Sequence, residues 1–256
     1  LTLCYVEVEE PDMHKPLGDL DRLQKALREQ WGFEEIACDS QLLPAVQATL
    51  RKGKWKVTAA IHQPRVDGPA TIVALYPDLK NEAYGIACDI GSTTIALHLV
   101  SLLSGLTIAS SGASNPQIRF GEDLMSRVSY VMMNPGGEAE LTAAVRTAVD
   151  GLIGELVDQI ESFREYVLEV VLVGNPIMHH LVLGLDPTPL GQAPFTLTTN
   201  RALVTRAGDL DLTLPYARCY VAPCIAGHVG ADTAAAVLAE GPHRSGTTQL
   251  LVDIGT

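Results

Sequence analysis

Leu3 to Val8 alternate apolar and polar side chains, which places every second residue on one face, as in a half-buried strand. After Pro16 the period changes. Leu20, Leu23, Ala26, Leu27 and Trp31 recur at helical spacing. A second helix is expected over about Leu43 to Arg51, with Leu43, Val46 and Leu50 on its apolar side. Pro44 fits there because it falls in the first turn, where its missing N–H is not needed. Trp55–His62 and Ala70–Tyr76 are β-branched or apolar runs. The turn-forming residues between them, Gln63-Pro-Arg-Val-Asp-Gly-Pro69, make the two a hairpin. A short polar stretch, Pro77 to Glu82, ends this part, so residues 1–82 are expected to form a small α+β domain.

From Tyr84 onward strands and helices alternate. Tyr84–Cys88, Ile95–Leu102 and Leu106–Ser114 read as strands, and Gly121–Met133 and Glu138–Phe163 as helices. Val167–Val173 is a near-continuous apolar run, as expected for a central strand covered on both faces. A helix follows over Pro176–Leu183, a short strand over Arg218–Val221, an alanine-rich helix over Gly230–Leu238 and a last strand over Gln249–Val252. Thr188 to Pro215 has weak periodicity and reads as loop with room for one strand. Residues 83–256 therefore predict an α/β domain with a mixed sheet flanked by helices.

Charge narrows the function classes. Eighteen Lys+Arg against thirty Asp+Glu leave a net charge of −12, which repels phosphate backbones and anionic lipid and argues against nucleic-acid or membrane partners. No apolar run reaches the ~20 residues that span a bilayer, and the chain starts on a strand and not a signal sequence; a cytoplasmic protein is expected. Five scattered cysteines fit reduced thiols and match neither a disulfide framework nor a zinc or plant-type iron–sulfur spacing. The last lysine is Lys80, so a P-loop, which needs a lysine on the phosphates, is excluded beyond it.

The most informative string is Asp89-Ile-Gly91-Ser92-Thr93-Thr94, set between two apolar strands. Glycine lets the backbone turn sharply enough for a phosphate to reach main-chain amides, and three hydroxyls add donors. An aspartate at the strand end can hold Mg²⁺ through its water shell. An ordinary hairpin turn shares that pattern, but the unit recurs as Asp253-Ile-Gly255-Thr256 after the last expected strand. Two such loops can grip the phosphates and Mg²⁺ of one nucleotide from both sides.

On these two motifs the sequence resembles the superfamily of actin, the sugar kinases and the heat-shock chaperone ATPases. Within it the whole chain looks like the reductive activators of corrinoid proteins, metal-binding proteins with an N-terminal ferredoxin domain. That likeness rests on Asn115-Pro-Gln117 followed by Gly121, Asp123 and Arg127, on Gly174-Asn175 followed by Met178-His179-His180 and Gly184, and on the Pro223 to Asp232 segment. The resemblance implies an actin-like (ribonuclease H-like) ATPase fold over 83–256. It also implies ATP and Mg²⁺ as cofactors, with Asp89, Gly91, Ser92, Thr93, Thr94, Asn115, Gln117, Asp253, Gly255 and Thr256 on the nucleotide, and Asp89 and Asp253 supporting Mg²⁺ through water. The implied activity returns an inactive Co(II) corrinoid to Co(I), with an electron from a [2Fe-2S] domain. No cluster cysteines occur here, so that domain is expected to precede Leu1, and the adenosine half of the ATPase domain to follow Thr256. The chain alone is then expected not to hydrolyse ATP at a useful rate. The implied partner is a corrinoid protein or corrinoid methyltransferase; a homodimer is left open.

Several residues carry two readings. Asn175 either faces the γ-phosphate or caps the helix starting at Pro176. Asp232 either joins the Mg²⁺ water shell or caps its own helix. Asp123 and Arg127, four apart, form an ion pair on one helical face. Asn115 and Gln117, in a loop after a strand, are better functional candidates than that pair. His179 and His180 are adjacent, so on a helix they point about 100° apart and cannot chelate together; with His228 they are expected to pack and not to bind metal. Two rival functions remain. A small-molecule kinase needs a carboxylate base that nothing here nominates. A non-enzymatic docking module has no need of Asp89 and Asp253, yet both are present.

Overall fold

The computed structural model describes residues 1–63, 68–158 and 164–252. The chain divides into two compact units, Leu1–Ala83 and Tyr84–Thr256.

The first unit holds β1 (Thr2–Glu7), α1 (Asp19–Trp31), β2 (Ile36–Cys38), α2 (Leu43–Lys52), β3 (Lys56–His62) and β4 (Ala70–Pro77). Its sheet runs β1-β3-β4-β2, with β3 antiparallel to β1 and β4, and β2 parallel to β4. Leu23 and Leu27 of α1 and Leu50 of α2 are fully buried, as the helical spacing requires. At three residues, β2 is too short to display a period in sequence.

The second unit holds β5 (Tyr84–Ile90), β6 (Thr94–Ser101), β7 (Thr107–Ser114), α3 (Leu124–Met133), α4 (Gly137–Asp158), β8 (Val167–Gly174), α5 (Pro176–Leu183), β9 (Leu203–Arg206), β10 (Arg218–Val221) and α6 (Ala231–Glu240). The sheet order is β7-β6-β5-β8-β10-β9. Short turns join β5, β6 and β7 as an antiparallel meander, while β8 and β10 run parallel to β5 after helical or long crossovers. This is the mixed sheet flanked by helices that the sequence predicts. Ile86, Cys88 and Ile90 of β5 and Val170 and Leu172 of β8 share one buried core with Leu141, Val145, Val149 and Leu152 of α4.

Three sequence expectations need correction. β8 is not covered evenly on both faces, because Val171 stays 38% exposed while its neighbours Val170 and Leu172 are buried. The helix expected from Gly121 starts at Leu124, because Asp123 caps it, its carboxylate accepting the Ser126 N–H at 2.7 Å. Gln249–Val252 forms no strand: Leu250 is 88% exposed, and among the described residues no neighbouring strand pairs with it, without which an extended segment has no ladder. The expected end of α4 at Phe163 and the whole Asp253–Thr256 motif lie outside the described residues.

Candidate functional site

Strand direction gathers the candidate residues. β5 and β8 are parallel and end together, Ile90 opposite Gly174. β6 begins and β7 ends at the same margin, Thr94 opposite Ser114. The Asp89–Thr94 turn, Asn115 and Asn175 thus leave the sheet at one end. Gly230, just before α6, joins them. A Cβ added there would lie 2.6 Å from both Asn175 Cα and the Gly174 carbonyl oxygen. In open α/β sheets the carboxyl ends of the strands are where ligands bind.

The turn is tight. The Gly91 N–H donates to the Thr94 carbonyl at 3.0 Å, and a Cβ on Gly91 would sit 2.6 Å from that oxygen, so a side chain does not fit. Asn115 fastens the turn twice: its backbone N–H donates to the Thr93 carbonyl at 2.7 Å and its Nδ2 to the Gly91 carbonyl at 2.8 Å. Asp89, Thr93 and Thr94 are exposed. Alternation along β5 puts Asp89 on the face opposite Cys88 and Ile90, away from the core.

Beneath the turn lies a buried polar network. Asn115, Gln117 and Arg127 are 1%, 0% and 0% exposed. Asn115 Oδ1 accepts the Gln117 N–H at 2.9 Å, and Gln117 Nε2 donates to the Leu141 carbonyl at 2.8 Å. Arg127 donates to the Gly121 carbonyl at 3.0 Å, to Gln117 Oε1 at 3.3 Å and to the Ser92 carbonyl at 2.5 Å. The expected Asp123–Arg127 ion pair therefore gives way: Asp123 is spent on the helix cap, and Arg127 turns inward to the loop. Asn115 and Gln117 support the turn from below and do not line its solvent side. Sequence spacing nominated an ion pair because it carries no sign of which face of α3 is buried.

Asn175 is a helix cap in this structure, Oδ1 accepting from the Ile177 and Met178 N–H groups at 3.1 and 3.0 Å. Asn175→Ala should cost about 1 kcal/mol, read as a lower urea midpoint at unchanged slope. Asp232 accepts the Thr233 N–H at 2.8 Å, and its Oδ1 would be 2.5 Å from a Cβ on Gly230. Its carboxylate thus stands at the start of α6 beside Asn175. Gly230→Ala should destabilise by about 1–3 kcal/mol, since backbone atoms on two sides must move. A melting temperature equal to wild type would show that β8 and α6 are not packed this closely.

Residues 84–245 match the RACo middle region, and residues 1–82 match the RACo linker region. The chain belongs to the RACo family. It is 32% identical over 188 residues to the corrinoid activation enzyme RamQ of Eubacterium limosum, a stretch covering 72% of this chain and 31% of that protein. A solved structure described as a reductive activator for corrinoid, iron-sulfur protein superposes with a TM-score of 0.82 at 28% identity, covering 96% of this chain and 39% of that one. The chain thus spans well under half the length of either relative. Within the RACo middle region fall Asp89–Thr94, Asn115, Gln117, Arg127, Asn175 and Asp232; the Asp253–Thr256 motif lies beyond it.

The histidines of this RACo chain divide by partner. His180 accepts the Thr198 N–H on Nε2 at 3.1 Å, which leaves Nδ1 to donate to the Pro176 carbonyl at 2.8 Å. His179, 3% exposed, has among the described residues no hydrogen-bond partner on either ring nitrogen. It borders a small cavity lined by Ile90, Leu172, Val173, Gly174, Val182 and Val221. Burial, and then repulsion from His180, lower its pKa to about 4. The cysteines are all free; burial pushes the Cys4 and Cys219 thiols up to about 12 and Cys88 higher still, so thiolate chemistry is suppressed.

Proposed function

We propose that this chain is the phosphate-gripping part of an ATP-dependent reductive activator that returns an inactive Co(II) corrinoid protein to Co(I). One observation carries the reading: the glycine turn at Asp89–Thr94, the Asn175 helix start and the Gly230–Asp232 helix start converge at one end of the actin-like sheet. The family match and the names of the two relatives support it.

The residues suit Mg-nucleotide. Gly91 and Gly230 let the backbone segments at this end approach closely, and exposed Asp89, Thr93 and Thr94 lie on the turn. Asp89 would hold Mg²⁺ through water, with Asp232 on the facing helix as a second carboxylate and Asp253 as a third. Bound Mg-ATP supplies phosphate charge and a hydrolysable bond whose loss can drive domain closure. The chain's own part is to orient that charge. Asn115 fixes the turn, Gln117 and Arg127 support it from below, and Asn175 holds the start of α5. One electron, supplied by a reduced [2Fe-2S] centre outside these residues, would convert Co(II) to Co(I) on the corrinoid partner, the cluster being oxidised by one electron. We place the protein in the cytoplasm; no helix among the described residues is long and apolar enough to cross a membrane.

The test uses the protein from its complete reading frame with a Co(II) corrinoid protein, a reductant and Mg-ATP. The Co(I) absorption band should grow only when ATP is present and in step with phosphate release. A Co(I) yield indifferent to ATP would refute the reading.

A further inference from the structure

A buried guanidinium normally meets a carboxylate, because an unpaired internal charge costs several kcal/mol. Arg127 does not. It is 0% exposed, and its partners are the Ser92 and Gly121 carbonyls, Gln117 Oε1 and, at 3.5 Å, Met178 Sδ. Every one is neutral; Asp123 acts on it electrostatically, but that carboxylate caps α3, and among the described residues no acidic side chain forms a hydrogen bond or ion pair with it. Arg119, Arg146 and Arg164, by contrast, are at least partly exposed, and Arg146 and Arg164 pair with Asp211 and Asp150. Arg127 is thus a fixed positive charge placed directly under the Asp89–Thr94 turn, in a domain without lysine.

Its hydrogen bonds also aim the backbone. A trans peptide points its C=O and N–H in opposite directions. The Ser92 carbonyl is drawn down to Arg127, so the Thr93 N–H points away from it. The Gly91 carbonyl is drawn to Asn115, so the Ser92 N–H likewise points away from that side chain. Two successive peptides of the turn are thus oriented by buried side chains beneath it.

We infer that Arg127 is the positioning residue and counter-charge of the phosphate turn: it aims the Ser92–Thr93 peptide and supplies the positive potential that lets this acidic domain hold a nucleotide polyphosphate. The inference rests on the nucleotide reading above and adds which buried residue gives the site its preference for phosphate charge. The charge acts through the turn without touching the ligand. Its effect is largest for the most highly charged nucleotide.

The experiment titrates Mg-ATP, ADP and AMP into the protein of the complete reading frame and three variants, with melting temperatures taken alongside. Arg127→Gln removes the charge. Gln117→Glu leaves the arginine but sets a carboxylate against it, neutralising it in place at the cost of the Leu141 hydrogen bond, and gives a second route to the same charge change if Arg127→Gln does not fold. Arg127→Lys keeps the charge and loses the fork. Gln117→Glu should weaken ATP at least roughly tenfold and AMP by much less, and Arg127→Gln should do the same where it folds; Arg127→Lys should recover part of the ATP loss. A folded Gln117→Glu protein with wild-type ATP affinity, or equal losses for ATP and AMP, would overturn the inference and leave the nucleotide reading standing. Absence of ATP binding by the wild type itself would overturn both.

Discussion

Asp89→Ala should reduce ATP-driven formation of Co(I) by at least about a hundredfold while leaving the melting temperature within a few degrees of wild type. The two halves of that expectation have separate causes. Asp89 lies on the outward face of β5 and is exposed, whereas its neighbours Cys88 and Ile90 are buried and carry the packing. Removing its carboxylate therefore takes little from the core. Of the acidic groups proposed to support Mg²⁺, it alone belongs to the Gly91 turn, so its loss removes the metal's support where the phosphates would sit. Asp89→Asn separates charge from shape: it should fail almost as badly, because a neutral amide is a poor acceptor for the ordered water of a divalent cation. Phosphate release and cobalt reduction, assayed together, should fall in parallel. Retention of either at half the wild-type rate would remove Asp89 from the site.

The second large effect concerns acid. His179 is neutral in the folded protein, with its pKa lowered from the usual 6.5 to about 4 by burial. The unfolded chain binds a proton at this residue below pH 6.5, while the folded chain does so only near pH 4. Stability attributable to His179 is therefore intact above pH 6.5 and is lost as pH falls to 4, by about 3 kcal/mol in all. The pKa of His180 is lowered as well, so its contribution has the same sign. The cavity-lining residues around His179 are all apolar, so no acidic group there offsets the charge when it forms. Urea unfolding at pH 7.5 and 4.5 should show the drop in wild type and a markedly smaller one in His179→Leu. That variant also removes two unpartnered buried nitrogens, so it should be at least as stable as wild type at neutral pH. Equal pH slopes in the two proteins would contradict this account of His179.

The parts legible in the sequence are those where one local signal decides the outcome. The long elements α1, α4, β5 and β8 follow their apolar periods, and the Asp89–Thr94 turn follows from its glycine and its place between strands. The misreadings arise where tertiary context decides. Val167–Val173 reads as a near-continuous apolar run, yet Val171 is partly exposed, because composition does not reveal how much of a face its neighbours cover. Gln249–Val252 has strand-like residues and, among the described residues, no partner strand. Arg127 shows the difficulty most plainly. Its spacing from Asp123 fits a surface ion pair, but Asp123 at the N-cap is worth more to α3 as an acceptor for Ser126. Once that carboxylate is committed, the arginine satisfies its donors on carbonyls inside the protein. An aspartate directly before the first apolar residue of a helix was the available clue. Asn175 kept two readings in sequence; its side-chain oxygen caps α5, which leaves its amide nitrogen as a donor.

The central claim, that one end of the β5–β8–β10 sheet grips a Mg-nucleotide, is tested most directly by amide hydrogen exchange with and without Mg-ATP. Peptides covering residues 89–94, 115–121, 174–178 and 229–233 should all become protected at the same ligand concentration, and the same peptides in Asp89→Ala should not. These four segments are distant in sequence and share only that end of the sheet. Protection confined to other segments, or none at saturating Mg-ATP, would contradict the account.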